Sequence, residues 1–295
     1  MSSSWESPLD AAYEAGRAAA GGAVTQVYPA LAAVSPDVFD VACHRLSGET
    51  LAQGSGASFI LMSVAKAFTL ALAVDMAGED RVLALTGMEA TGLAFNDPAA
   101  ITRTSHGRTN PMVNPGALTV ASLVGDEAAI RDGLSRFAGR NLAADPVMVE
   151  AIRSSNQRNR MLAELLAERG LLATDVQTAL HLYTYQSCLE VDAATLARMG
   201  AVLAGEGRDP ISGGLVVSEA AARVALDAMA LAGLYEASGA WHEAGGPPAK
   251  SGIAGGIVMV LPGRGSFAAY SPPLDESGNP LRALAAARAF AGAAA

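Results

Sequence analysis

The chain predicts an α+β fold: a single domain, residues 1–295, in which one antiparallel sheet is built from both chain ends, with flanking helices and an inserted helical subdomain. Two observations predict it. Strand-like alternation is confined to the stretch before residue 62 and the stretch after Tyr235, and residues from about 80 to 235 alternate helical runs with polar loops. The sheet subdomain then takes about 1–60 and 235–295, and the helical subdomain about 61–234. A hydrophobic content of 51% over 295 residues supplies the core this arrangement needs and excludes general disorder. Aromatics are only 5%, so the core is expected to be alanine, valine, leucine and methionine in close packing.

The elements follow in order. An amphipathic helix fills roughly the first twenty residues and ends at Gly21-Gly22. Residues 38–46 read as a strand, Ser47-Gly48-Glu49-Thr50 as a turn, and a second strand from Leu51 completes a hairpin. Ser58-Phe59-Ile60-Leu61 leads into a helix that begins at about Ser63 and stops near Gly78. Further helices are read at 160–169, 193–203 and 218–232. Strands return at 256–261 and 266–271 around the turn Pro262-Gly263-Arg264-Gly265, and a helix runs from Pro280.

Composition removes several classes of function. A net charge of −9 gives no basic face for phosphates, so no nucleic-acid partner is expected. Cys43 and Cys188 form neither a C-x-x-C pair nor a disulfide framework, which suits a reducing cytoplasm. Residues 1–22 lack the basic and apolar regions of a secretory signal, and the apolar stretch 61–76 is too short to span a bilayer, so no membrane partner is expected. His44, His106, His181 and His242 have no metal-ligand spacing, and no metal is expected. There is no G-x-S-x-G elbow and no Walker loop.

What remains is a lysine pattern. The chain has 20 Lys+Arg residues, of which only Lys66 and Lys250 are lysines. Arginine keeps its proton in proteins, whereas a desolvated lysine can lose it and act as a base. Lys66 closes Ser63-Val64-Ala65-Lys66 and Lys250 opens Lys250-Ser251-Gly252. At i and i+3 of a helix, Ser63 and Lys66 share a face, and the unpartnered N–H groups of the first turn can hold an anionic oxygen. Lys250 is expected on a strand at the pocket edge, Gly252 admits close backbone approach, and the Ile253 amide is a second oxyanion donor. Burial and the second cation at Lys250 are both expected to lower the proton affinity of Lys66. The order of the two motifs resembles the serine β-lactamases and penicillin-binding proteins, which implies a β-lactamase-like serine acyl-enzyme.

Between the lysine motifs the chain resembles the serine-dependent glutaminases, which share that fold. The resemblance runs from about residue 59 to 279. It is carried by Gly92-Leu93-Ala94-Phe95-Asn96, by Asn110-Pro111-Met112-Val113-Asn114-Pro115-Gly116-Ala117, by Arg158-Asn159 and by Leu182-Tyr183 with Gln186-Ser187-Cys188. It continues through Gly233-Leu234-Tyr235-Glu236-Ala237-Ser238-Gly239, Pro248-Ala249-Lys250-Ser251-Gly252-Ile253-Ala254-Gly255-Gly256, Ser271-Pro272-Pro273-Leu274-Asp275 and Gly278-Asn279. The resemblance implies hydrolysis of L-glutamine to L-glutamate and ammonia without a cofactor, in a homo-oligomer, dimer or tetramer. It implies Ser63 as nucleophile, Lys66 as its activating partner and Tyr235 as a proton relay. Tyr183 would line the pocket, Asn114 and Asn159 would bind the amino-acid head group, and the Ser63 and Ile253 amides would form the oxyanion hole. Taken singly, Asn114 reads as a turn residue, and Tyr183 and Tyr235 as helix packing.

One position departs from the pattern where recognition is at stake. The acidic residue that holds the substrate ammonium in this family stands seven positions before the asparagine matched by Asn159; here that position is Ile152, and Glu150 lies two positions earlier. Glu150 is therefore the candidate replacement. The alternatives are the same acyl-enzyme chemistry on a related amide, and a non-catalytic homologue.

Overall fold

Asp40–Arg45 and Thr50–Gln53 form the expected hairpin, with His44 opposite Thr50. In the computed structural model, which describes residues 4–294, this hairpin joins three strands from the other chain end. The order across the five-stranded sheet is Thr50–Gln53, Asp40–Arg45, Gly265–Tyr270, Gly256–Leu261, Ala249–Ser251, antiparallel throughout. Val41 pairs with Ala269 and Ile257 with Ala269, so residues far apart in sequence share one sheet as the α+β reading requires.

Side chains alternate between two cores. Val41, Cys43, Ile257, Met259, Phe267 and Ala269 face a cluster completed by Trp5, Leu9, Ala283, Ala287 and Phe290. Trp5 immediately precedes helix Glu6–Ala18, and the other four belong to that helix and to Leu281–Ala294, which pack together over that face. Ala42, Val258, Val260, Ala268 and Tyr270 face the opposite way, into a larger cluster shared with the inserted helices. Helix Ala193–Ala204 lies directly on this second face. Both faces are covered, which explains why strands Gly256–Leu261 and Gly265–Tyr270 are buried at every position rather than alternating with exposed residues.

The inserted helices start where the sequence supplies an oxygen to their first N–H groups. Asp126, Asp145, Asp175, Asp192 and Ser218 each accept from a backbone N–H one to three residues inside the helix they precede. The helix at Ala65–Ala77 is different: alanine, leucine and valine surround it, and every residue from Ala65 to Val74 is buried. A helix apolar on all sides belongs in the middle of a core. It runs against helices Asn114–Val124 and Glu219–Ala232, and so carries Lys66 into the deepest part of the molecule.

Two local features bear on the site. Helix Pro146–Ser154 ends, Ser155 and Asn156 break the chain direction, and a second helix, Gln157–Glu168, begins. Asn114 is not a turn residue but the first residue of helix Asn114–Val124, followed by a proline suited to the first turn. Among the described residues no helix is long and apolar enough to cross a membrane.

Candidate active site

Ser63 is held by two backbone contacts with different parts of the chain. Phe59–Ile60 pairs with Glu190–Val191, and Leu61 N–H donates to the Leu189 carbonyl at 2.9 Å. The chain then turns sharply: Met62 takes φ 44°, and Met62–Val64 forms a single 3₁₀ turn before helix Ala65–Ala77. Left-handed φ at a non-glycine residue costs about 1–3 kcal/mol, so surrounding structure must hold it. Part of that support is Gly252. A Cβ there would sit 3.0 Å from the Leu61 carbonyl oxygen and 3.2 Å from the Ser63 nitrogen. The bare glycine lets the end of strand Ala249–Ser251 abut the Ser63 turn, which brings Ile253 to the same cavity as Ser63.

Beside Ser63 stands Tyr235, also in the left-handed region at φ 54°. The Ser63 hydroxyl and the Ser251 residue are its hydrogen-bonding neighbours, and its phenol donates to the Ser251 carbonyl at 3.3 Å. Burial pushes the phenol up to about 12, against the opposing effect of those hydrogen bonds, so it keeps its proton at neutral pH. Lys250 Nζ lies 4.3 Å from the centre of the Tyr235 ring and donates to the carbonyls of Gly233 at 3.0 Å and Ser251 at 2.6 Å. One carbonyl thus receives both the phenol and the amine. Ser251 Oγ donates to Asn279 Oδ1 at 2.6 Å, and Asn279 Nδ2 donates to the Leu234 carbonyl at 3.2 Å, fastening the Tyr235 turn to the strand.

Lys66 is equally buried and has a different surrounding. Its Nζ donates to Asn114 Oδ1 at 2.7 Å and lies 5.7 Å from the centre of the Tyr183 ring. Among the described residues no carboxylate pairs with it. Loss of solvent brings its pKa down from the ordinary 10.5 to about 7. Lys250 is held well below its ordinary value by burial first and by the neighbouring Lys66 second. Burial is thus the leading cause for each amine.

From Lys66 the hydrogen bonds continue through three asparagines. Asn114 Nδ2 donates to Asn159 Oδ1 at 2.9 Å, Asn159 Nδ2 to Asn156 Oδ1 at 2.7 Å, and Asn156 Nδ2 to Thr184 Oγ1 at 3.3 Å. A cavity of about 210 Å³ opens over this row and over Ser63, with Tyr183, Ile253, Phe95 and Ile152 among its walls. Lys66, Lys250 and Tyr235 lie behind these walls. An uncharged amine, a protonated phenol and a serine hydroxyl within one buried cluster can exchange protons without placing a net charge in the core.

The comparisons with known proteins all give one family. The family model described as Glutaminase matches residues 22–294. "Glutaminase 2" of Yersinia pestis is 42% identical over 274 residues, 90% of this chain and 81% of that protein. The glutaminase of Brucella canis is 40% identical over 302 residues, covering 99% of this chain and 95% of its own. Among solved structures, one described as "Probable glutaminase ybaS" superposes with a TM-score of 0.94 at 32% identity, covering 98% of this chain and 97% of that one. A Bacillus subtilis protein solved with 6-diazo-5-oxo-L-norleucine gives a TM-score of 0.87 at 26% identity, covering 97% and 94%.

The chain belongs to the glutaminase family. It is a hydrolase with the β-lactamase-like fold of those structures. Within this family member, Ser63, Asn114, Asn159, Tyr183 and Ile253 line one cavity, and Lys66, Tyr235 and Lys250 stand directly behind it.

Glu150 is not with them. It is exposed and lines a separate surface pocket of about 510 Å³ with Arg153, Arg160 and His181. The reason is helical geometry: two residues apart on a helix means about 200° of rotation, so Ile152 and Glu150 face opposite ways on Pro146–Ser154. Ile152 takes the cavity side, 3% exposed. The proposed replacement of the ammonium-binding carboxylate by Glu150 is corrected accordingly. Sequence reasoning also missed Tyr28, which lines the cavity, and the roles of Asn156 and Asn279. Asn156 sits in the break between two helices, and Asn279 is visible in the sequence only as the last residue of a matched motif.

Proposed function

We propose that this chain hydrolyses the side-chain amide of L-glutamine through an ester on Ser63, releasing ammonia and then L-glutamate. The observation that carries this reading is the hydrogen-bonded cluster of Ser63, Tyr235 and Ser251, with one buried amine on either side of it. Lys66, half neutral near pH 7, is the base that the serine hydroxyl needs. Tyr235 remains a phenol, so its role is to pass a proton rather than to keep one. Lys66 takes the Ser63 proton as the ester bond forms, while Tyr235 gives its own proton to the departing nitrogen and regains one from Lys66. The amides of Ser63 and Ile253, brought together by the bare Gly252, are the donors for the developing oxyanion. Water then attacks the ester and the proton path runs in reverse. Asn114 and Asn159 each retain one N–H beyond the row described above and offer it to the substrate carboxylate.

The same reading places a homo-oligomer, dimer or tetramer, in the cytoplasm; two free, buried cysteines favour a reducing compartment. Ammonia release from L-glutamine, measured for the native chain and Ser63→Ala, tests the central claim. Native turnover lost by at least about a thousandfold in the variant supports it, since removing a nucleophile removes a covalent path. Ser63→Ala turnover within tenfold of native would sink it. Intact-mass analysis after 6-diazo-5-oxo-L-norleucine should locate one adduct on Ser63 and none on the variant.

A further inference from the structure

The cavity over Ser63 has no acidic wall. Of its lining residues, Arg158 is the single charged one, and no Asp or Glu among the described residues lines it. Where a zwitterionic ligand would place its ammonium, the nearest surfaces are apolar or neutral. Ile152 is buried within a cluster of Leu31, Ile60, Met62, Met148 and Cys188, and together with Met62 and Ile253 it forms one apolar side of the cavity. The carboxylate closest in sequence, Glu150, faces the opposite way into another pocket. An ammonium in this cavity would be left without a counterion, and an unpaired charge out of water is strongly disfavoured.

The same lining suits a ligand of net charge −1. Arg158 can meet a carboxylate, and the spare N–H groups of Asn114 and Asn159 are donors of the kind a carboxylate accepts. There is also a way out for a bulkier substituent. The cavity is bounded by Val27, 61% exposed, and by the exposed Ser155 and Arg158, so a group attached to the α-nitrogen passes along Ile152 and Met62 toward solvent.

We infer that the site accepts, and favours over free L-glutamine, glutamine amides whose α-nitrogen is acylated and therefore uncharged. This rests on the Ser63 ester reading above. The chemistry balances as for glutamine. The bond from Ser63 Oγ to the amide carbon forms, the carbon–nitrogen bond breaks, and the serine proton leaves with nitrogen as ammonia. Water then opens the ester, returns a proton to Ser63 and leaves the N-acylglutamate.

Kinetics on N-acetyl-L-glutamine and L-glutamine, followed by ammonia release, decide the matter. The native chain is expected to give kcat/KM at least about tenfold higher for N-acetyl-L-glutamine, the scale of one unpaired charge relieved at a partly open site. Ile152→Glu should swing the ratio back toward L-glutamine by about tenfold or more, and Ile152→Gln, of the same size without charge, should not. Equal or better turnover of L-glutamine by the native chain overturns the inference, whether or not Ile152→Glu folds, and leaves the Ser63 ester standing. Turnover of neither amide overturns both.

Discussion

Lys66 Nζ donates to Asn114 Oδ1 at 2.7 Å across 48 residues of sequence, and among the described residues this neutral acceptor is the amine's one hydrogen-bond partner. A neutral partner matters because it barely favours ammonium over amine. A carboxylate in the same place would hold the proton on, and the base would be lost at neutral pH. The asparagine satisfies the amine while leaving burial free to lower its pKa to about 7.

Asn114→Asp tests that relationship. In the native chain the acid limb of kcat/KM is expected near pH 7, with activity rising as pH rises because the amine must be free. In Asn114→Asp the new carboxylate raises the folded-state pKa, so the limb moves to higher pH by about one unit or more. At pH 7 kcat/KM falls by about tenfold or more, and part of the loss returns at higher pH. A variant whose limb stays at the native pH would show that another group sets it.

Stability should move in the opposite direction at Lys66. In the unfolded chain this amine holds its proton up to about 10.5, while the folded chain releases it at about 7. Between those values the unfolded state binds more protons, so folding stability rises with pH across that window and the penalty is full at and below about 7. Lys66→Met removes the penalty and keeps most of the volume, at the loss of one hydrogen bond to Asn114. Denaturant titration at pH 7 is expected to show a gain on the order of 1–3 kcal/mol, shrinking toward pH 10, with activity abolished. An inactive variant that is less stable at every pH would refute the account of a neutral buried amine.

How far the sequence was legible differs between sheet and helices. The strands at residues 256–261 and 266–271 and the hairpin before them were read within a residue or two, because their apolar runs are bounded by glycine and proline turns. Helices Asn114–Val124, Pro146–Ser154 and Val176–Ser187 were not delimited, although Asp145 and Asp175 cap the latter two and both capping signals stand in the sequence. Lys66 and Lys250 could be singled out because a side chain used twice in a chain rich in arginine is conspicuous. Asn156 could not: its place in the row from Lys66 to Thr184 depends on a helix break and on a contact with a residue 28 positions away. Glu150 was misplaced for a related reason, since sequence proximity to Ile152 says nothing once both lie on a helix.

The left-handed turn at Met62 gives a third expectation. Its φ of 44° is tolerable for an unbranched side chain and poor for one branched at Cβ. Met62→Ile keeps the apolar character of the wall yet should cost about 1–2 kcal/mol in stability. It should also reduce kcat more than it raises KM, because the turn aims the Ser63 hydroxyl. Met62→Gly relieves the strain, so its stability loss should come from the missing side chain and be separable by comparing the two variants. Equal stability of Met62→Ile and the native chain would show that the turn can relax.

Gly200 offers the complementary case, a residue essential to the fold and remote from Ser63. Helix Ala193–Ala204 rests on the sheet at this glycine: a Cβ would meet Val258 Cγ2 at 2.7 Å and Ser266 Cβ at 2.8 Å. Its backbone angle is not left-handed, so the constraint is space alone. Gly200→Val forces the helix off Val258 and Ser266, both fully buried, and nearby the Ser266 hydroxyl donates to the Ala197 carbonyl. Overpacking of this kind costs about 1–3 kcal/mol, which lowers Tm by roughly 2–4 °C per kcal/mol in a chain of this class. The protein that remains folded at low temperature should keep its kcat and its acid limb near pH 7, because this helix packs chiefly on strands Gly265–Tyr270, Asp40–Arg45 and Gly256–Leu261. A changed pH limb in Gly200→Val, with Tm unaltered, would mean that the helix on the sheet governs the amine at Lys66, contrary to the contacts described above.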